Sequence, residues 1–130
     1  FQHLDKLNAA LYNADMFIVT EPITVQELKT RCTDFFETLI KAVVDVRQRI
    51  LAVDAEMHAD IESMLTEECS SKSDDLWGIN FYPDRDRESF VEYNSLINIK
   101  PHLSNKRMDV GNPEIRELID EIVREKIIWS

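Results

Sequence analysis

The stretch Leu76-Trp77-Gly78-Ile79-Asn80-Phe81-Tyr82, resumed after a charged connection as Phe90-Val91-Glu92-Tyr93-Asn94-Ser95-Leu96-Ile97-Asn98-Ile99-Lys100, decides the fold. Trp77, Ile79 and Phe81 alternate with Gly78, Asn80 and Tyr82, and Val91, Tyr93, Ile97 and Ile99 recur at the same parity. Alternation with period two marks strands with one apolar face. The connection over 83–89 is short and charged, so the two runs are expected to pair antiparallel with their odd positions together. A slip of one residue would bury Glu92 and expose Trp77, which sets the register.

Working outward, residues 40–53 are apolar and β-branched with one charged break at Arg47-Gln48-Arg49, the pattern of two strands joined by a tight turn. The second of these could run on to His58. Met16 to Thr20 is another strand-forming run, stopped by Glu21-Pro22. Thr24 and Glu27 have the spacing of a capping box, and Leu28, Cys32, Phe35, Phe36 and Leu39 follow as the apolar face of a helix. Asp60 is the expected N-cap of a helix carrying Ile61, Met64 and Leu65, with a start at Asp54 as the competing boundary. Asn112 and Pro113 open a last helix whose stripe is Ile115, Leu118, Ile119, Ile122 and Val123. The predicted order is β-α-β-β-α-β-β-α: an α+β domain, with a mostly antiparallel sheet of about five strands covered by three helices on one face.

The 130 residues suffice for one domain, expected over 16–130. Residues 1–15 read as an N-terminal extension or a remnant of cloning; Phe1, Leu4, Leu7 and Leu11 give this segment a helical stripe suited to a homodimer contact. Fifteen Lys+Arg against 25 Asp+Glu leave a net charge of −10, a field that repels nucleic-acid phosphate and anionic lipid. Neither partner is expected, and no apolar run is long enough for a membrane span. Two cysteines, Cys32 and Cys69, with no CxxC point to a reducing compartment, with the cytoplasm as the default; Cys32 reads as a packed small hydrophobe.

Phosphate loops, nucleophile elbows, HExxH and calcium-loop motifs are absent from the sequence, so no cofactor and no metal is expected. Asp54, Glu56, His58 and Asp60 form one weak constellation. In an extended chain, Asp54, Glu56 and His58 share a side; in a helix, Asp54, His58 and Glu62 do. Two carboxylates beside an imidazole could bind a divalent metal or tune the histidine as a general base, which makes His58 and Asp60 the weak catalytic candidates, against a plain structural or solvated histidine. Asn80, Tyr82, Asn94 and Asn98 fall on the polar face of the 76–100 pair, which is either a ligand site or an ordinary solvent face. The 100–111 loop holds Lys100, His102, Lys106 and Arg107 around Asn105, and leads to a helix N-terminus of the kind that binds anions. The candidate binding residues are therefore Asn80, Tyr82, Asn98, Lys100, Asn105 and Arg107, with a small anion or an acidic side chain of a partner as ligand.

The segments Met57-His58-Ala59-Asp60, Asp75-Leu76-Trp77-Gly78-Ile79-Asn80-Phe81-Tyr82-Pro83, Ile97-Asn98-Ile99-Lys100-Pro101 and Asn112-Pro113-Glu114-Ile115-Arg116 carry a resemblance. From about Met16 to the end, the chain resembles a small bacterial family, with many cyanobacterial members, known only as a domain of unknown function. Members typically have Arg at the position of Lys100, Gly at Asp54 or Ala55, and Asp at Asn112. The resemblance implies a bacterial, intracellular protein and singles out His58, Asp60, Trp77, Asn80, Asn98, Lys100, Asn105 and Arg107; it implies no activity. The leading expectation is a binding or regulatory module for a protein or small anionic ligand. The alternatives are a small metal-assisted or His-dependent hydrolase, and one member of a toxin–antitoxin or inhibitor pair.

Overall fold

The computed structural model describes residues 16–32, 35–36 and 38–129. The elements in order are β1 (Phe17–Ile18), β2 (Ile23–Thr24), α1 (Val25–Arg31), β3 (Ile40–Asp45), β4 (Ile50–Val53), α2 (His58–Cys69), β5 (Leu76–Phe81), β6 (Val91–Glu92), α3 (Pro113–Lys126) and β7 (Ile127–Ile128). One sheet has the order β1-β4-β3-β5-β6 with every pairing antiparallel, and β2 pairs parallel with β7 in a separate ribbon. This is the expected α+β arrangement. The suggested helix over 1–15 lies outside the described residues.

Side-chain parity divides the core in two. Ala42, Val44, Leu51, Val53, Trp77, Ile79 and Phe81 pack with Leu28 of α1 and Ile119, Ile122 and Val123 of α3. Val43, Ala52 and Leu76 pack with Ile61, Met64 and Leu65 of α2 on the opposite face. The helices therefore take both faces of the sheet, not one. All six residues of β5 are buried as a result, Asn80 among them.

Three local expectations are corrected. The capping box of Thr24 and Glu27 forms, yet α1 ends at Arg31, and Leu28 is its one buried residue. The Thr30 hydroxyl turns back to the Gln26 carbonyl, a competing bond that loosens a helix. Cys32 is buried just past the helix end, as a packed hydrophobe would be, whereas Phe35, Phe36 and Leu39 lie outside any helix. Strand β4 stops at Val53, because Asp54 adopts a positive φ of 77°. Helix α2 then starts at His58 on Met57, so Asp60 lies in the first turn and is not the cap.

The largest correction concerns the second half of the deciding stretch. Val91 and Glu92 pair with Phe81 and Asn80, and there the ladder ends. Ser95 Oγ accepts the Ile97 N–H and opens a 3₁₀ turn over Leu96–Asn98. Asn and Ser side chains offer the backbone local alternatives to a ladder, and here those alternatives prevail. Past the turn, parity no longer reports burial: Ile99 is exposed while Asn98 and Lys100 are buried. The final helix begins as read, with Asn112 Oδ1 accepting the N–H groups of Glu114 and Ile115. No helix among the described residues is long and apolar enough to cross a membrane.

Candidate functional site

Three of the six candidate binding residues work inside the fold. Asn98 Oδ1 accepts the Gly78 N–H at 2.7 Å, and its Nδ2 donates to the carbonyls of Gly78 and Met108, both at 2.9 Å. The side-chain amide thus pairs with the free edge of β5 as a neighbouring peptide group would. Asn105 Nδ2 donates to the carbonyls of Asn98, Arg107 and Asp109, and its Oδ1 accepts the Gly111 N–H. Lys100, 3% exposed, donates from Nζ to the carbonyls of Ser73 and Ile97, with the ammonium 5.0 Å from the centroid of the Trp77 ring. Burial lowers its pKa, opposed by Glu62, Asp74 and Asp75 nearby. These residues fasten the 94–111 segment to the sheet. Arg107 points elsewhere: its side chain is 83% exposed and 3.8 Å from Asp109.

Asn80, Tyr82 and His58 converge on a different place. A cleft of about 510 Å³ lies between the start of α2, the β3-β5-β6 part of the sheet and the 94–97 segment. Across its floor, the pairing registers place Lys41, Asn80 and Glu92 in one row on adjacent strands. Glu92 Oε1 accepts from Asn80 Nδ2 at 2.9 Å and from the Tyr82 hydroxyl at 3.0 Å. Asn80 Nδ2 also donates to the Asn94 carbonyl. Asn80 Oδ1, by contrast, is buried and meets no donor in hydrogen-bonding geometry, although the amide lies close enough to His58 to favour the imidazolium. Leaving such an acceptor unmatched costs about 1–3 kcal/mol, so its retention calls for a reason.

His58 completes the floor. The side chain is 8% exposed, and Nε2 lies 2.9 Å from the Ile79 carbonyl oxygen. A carbonyl only accepts, so Nε2 carries the proton and Nδ1 is the acceptor in the neutral ring. Burial pushes the imidazole pKa down to about 4, outweighing the Ile79 bond and the nearby Asn80 amide, which favour the cation; Lys41 pushes it down further. Gly78 makes room for this packing. A Cβ there would meet Ser95 Cβ at 2.5 Å, Ser95 Oγ at 2.6 Å and His58 Cδ2 at 3.0 Å.

The rim is apolar and open: Met57 is 55% exposed, Leu96 68% and Met108 38%. Among the described residues, no three His, Cys, Asp or Glu side chains come together to hold a metal. Asp60, the other weak catalytic candidate, does not line the cleft. Sequence reasoning missed Glu92 as a site residue, although it shares the parity of Asn80 and Tyr82. It also missed Lys41, since nothing local announces that β3 pairs with β5.

The chain belongs to the family described as "Protein of unknown function (DUF5674)", whose model matches residues 17–126. The resemblance carried by the Asp75–Pro83 and Asn112–Arg116 segments pointed to a family known as a domain of unknown function. Neither a curated protein nor a solved structure matches the chain.

Proposed function

We propose that this protein is a binding module, taking a small ligand or a projecting group of a partner into the cleft above His58, Asn80 and Glu92. The observation that carries this is Asn80 Oδ1, a buried acceptor without a donor on the floor of the cleft. A polar floor under an apolar rim is the usual build of a ligand site. Methionines at the rim add adaptability, because their unbranched side chains repack around different shapes.

The support does not extend to the expected anion surface on the 100–111 loop. The Lys100 ammonium is occupied by two carbonyls, and Arg107 faces Asp109. A His-dependent hydrolase also draws little support. An imidazole with a pKa of about 4 is a weak general base, and its Nε2 is held by a backbone carbonyl rather than oriented by a carboxylate.

The test is a fragment screen read by amide chemical shifts on the labelled protein. Binding should move signals at 41, 57–59, 80 and 92–97 together. Hits that gather elsewhere, or a screen in which no cleft signal moves, would overturn the proposal.

A further inference from the structure

Resting on that reading of the cleft, we infer that its ligand is a free zwitterion of the α-amino-acid class. The ammonium would sit against Glu92 and Asn80, the carboxylate would face Lys41, and an apolar side chain would lie under Met57 and Leu96.

A polar row crosses the floor of the cleft. Lys41 pairs in register with Asn80, and Asn80 with Glu92, so a cation, an amide and a carboxylate stand side by side on three strands. Among the described residues lining the cleft, Lys41 and Glu92 carry the charges, and neither forms an ion pair with another described residue. Two strand spacings separate their backbones by roughly 10 Å. An amino-acid head group flanked by two hydrogen bonds spans roughly 9 Å, so one small molecule can answer both charges.

The chemistry at each end is distinct. The Glu92 end offers a carboxylate, with Asn80 Oδ1 as a second acceptor on the far side of the amide whose Nδ2 bonds Glu92. An ammonium brings three donors to such a place. The other end offers the Lys41 ammonium, 5.2 Å from the centroid of the Phe36 ring and partly exposed. A ligand that is only anionic would meet Glu92, and one that is only cationic would meet Lys41. Opposed repulsions of this kind select a molecule carrying both charges. Reaching Asn80 Oδ1 requires rim side chains to swing aside, which the largely exposed Met57 and Leu96 can do at little cost.

The experiment titrates leucine, leucinamide and N-acetylleucine into the labelled protein and into the Lys41→Gln and Glu92→Gln variants. Leucine should shift the signals of 41, 80 and 92, and each half-charged analogue should bind at least tenfold more weakly. Lys41→Gln should erase the preference for leucine over leucinamide, and Glu92→Gln the preference over N-acetylleucine. Glutamine at 92 keeps an acceptor for Tyr82 and Asn80, and spectra of the free variants report whether the fold is intact. The two analogues test the idea on the unaltered chain even if a variant misfolds. Analogues binding as tightly as leucine, or leucine leaving the cleft signals still while screened fragments move them, would overturn the zwitterion and spare the cleft. A leucyl dipeptide binding more tightly than leucine would also overturn it, naming a peptide terminus as the ligand.

Discussion

Lys100 and His58 show how little a residue type reveals about its job. Lysine in a charged loop reads as a free cation, but the Lys100 ammonium is buried and spent on two carbonyls. Lys100→Met should therefore lower stability by about 2 kcal/mol, since two carbonyls lose a charged donor. It should leave the ligand shifts of the strand residues 41, 80 and 92 in place, a comparison that urea unfolding and titration make together. His58 is neutral in the fold, with a pKa lowered from 6.5 to about 4. Between those values the unfolded chain binds the proton and the folded chain does not, so acid favours unfolding. The stabilisation is complete above pH 6.5, falls as the pH drops toward 4, and amounts to about 3 kcal/mol across that window. Denaturation midpoints from pH 7 to 5 should fall accordingly, and His58→Gln should flatten the slope. A slope unchanged in that variant would assign the effect to other groups.

At the scale of elements, what was legible was what is local. A capping box at Thr24 and an Asn-Pro start at Asn112 involve three or four consecutive residues, and both form as read. Strand β5 was legible because the alternation of Trp77, Ile79 and Phe81 marks a strand, although its other face is buried as well. The run after Glu92 was not, because Asn98 closes the edge of β5 with its side chain, a contact 20 residues away in sequence. Gly78 ties these pieces together. Its missing Cβ is where Ser95 and His58 rest, so Gly78→Ala should push the 94–97 segment off the strand. Overpacking of this sort typically costs about 1–3 kcal/mol. The clearest sign would be disturbed amide signals at 58 and 95; a spectrum unchanged at both positions would show that the segment does not lean on β5.

Over the whole molecule, the order of strands determined what the sequence could disclose about the site. Asn80 and Tyr82 were legible as polar positions facing one way. Their company was not: Lys41 arrives from β3, Glu92 from a two-residue strand, and His58 from a helix that covers the face expected to meet solvent. The same coverage turned Asn98 and Asn105 from candidate ligands into fasteners, leaving Asn80 as the buried asparagine, among the described residues, whose carbonyl is unmatched. A residue kept for binding and one kept for folding differ in what their loss does to stability. Equilibrium urea unfolding of Asn80→Leu beside Asn98→Leu measures that difference directly. Asn98→Leu should lose roughly 3 kcal/mol or more, as Gly78 and Met108 are left with unpaired backbone groups. Asn80→Leu should stay within about 1 kcal/mol of the parent, since it also removes an unmatched acceptor and leaves Glu92 its bond from Tyr82. Equal and large losses for both variants would make Asn80 one more fastener and contradict its place at the centre of a binding site.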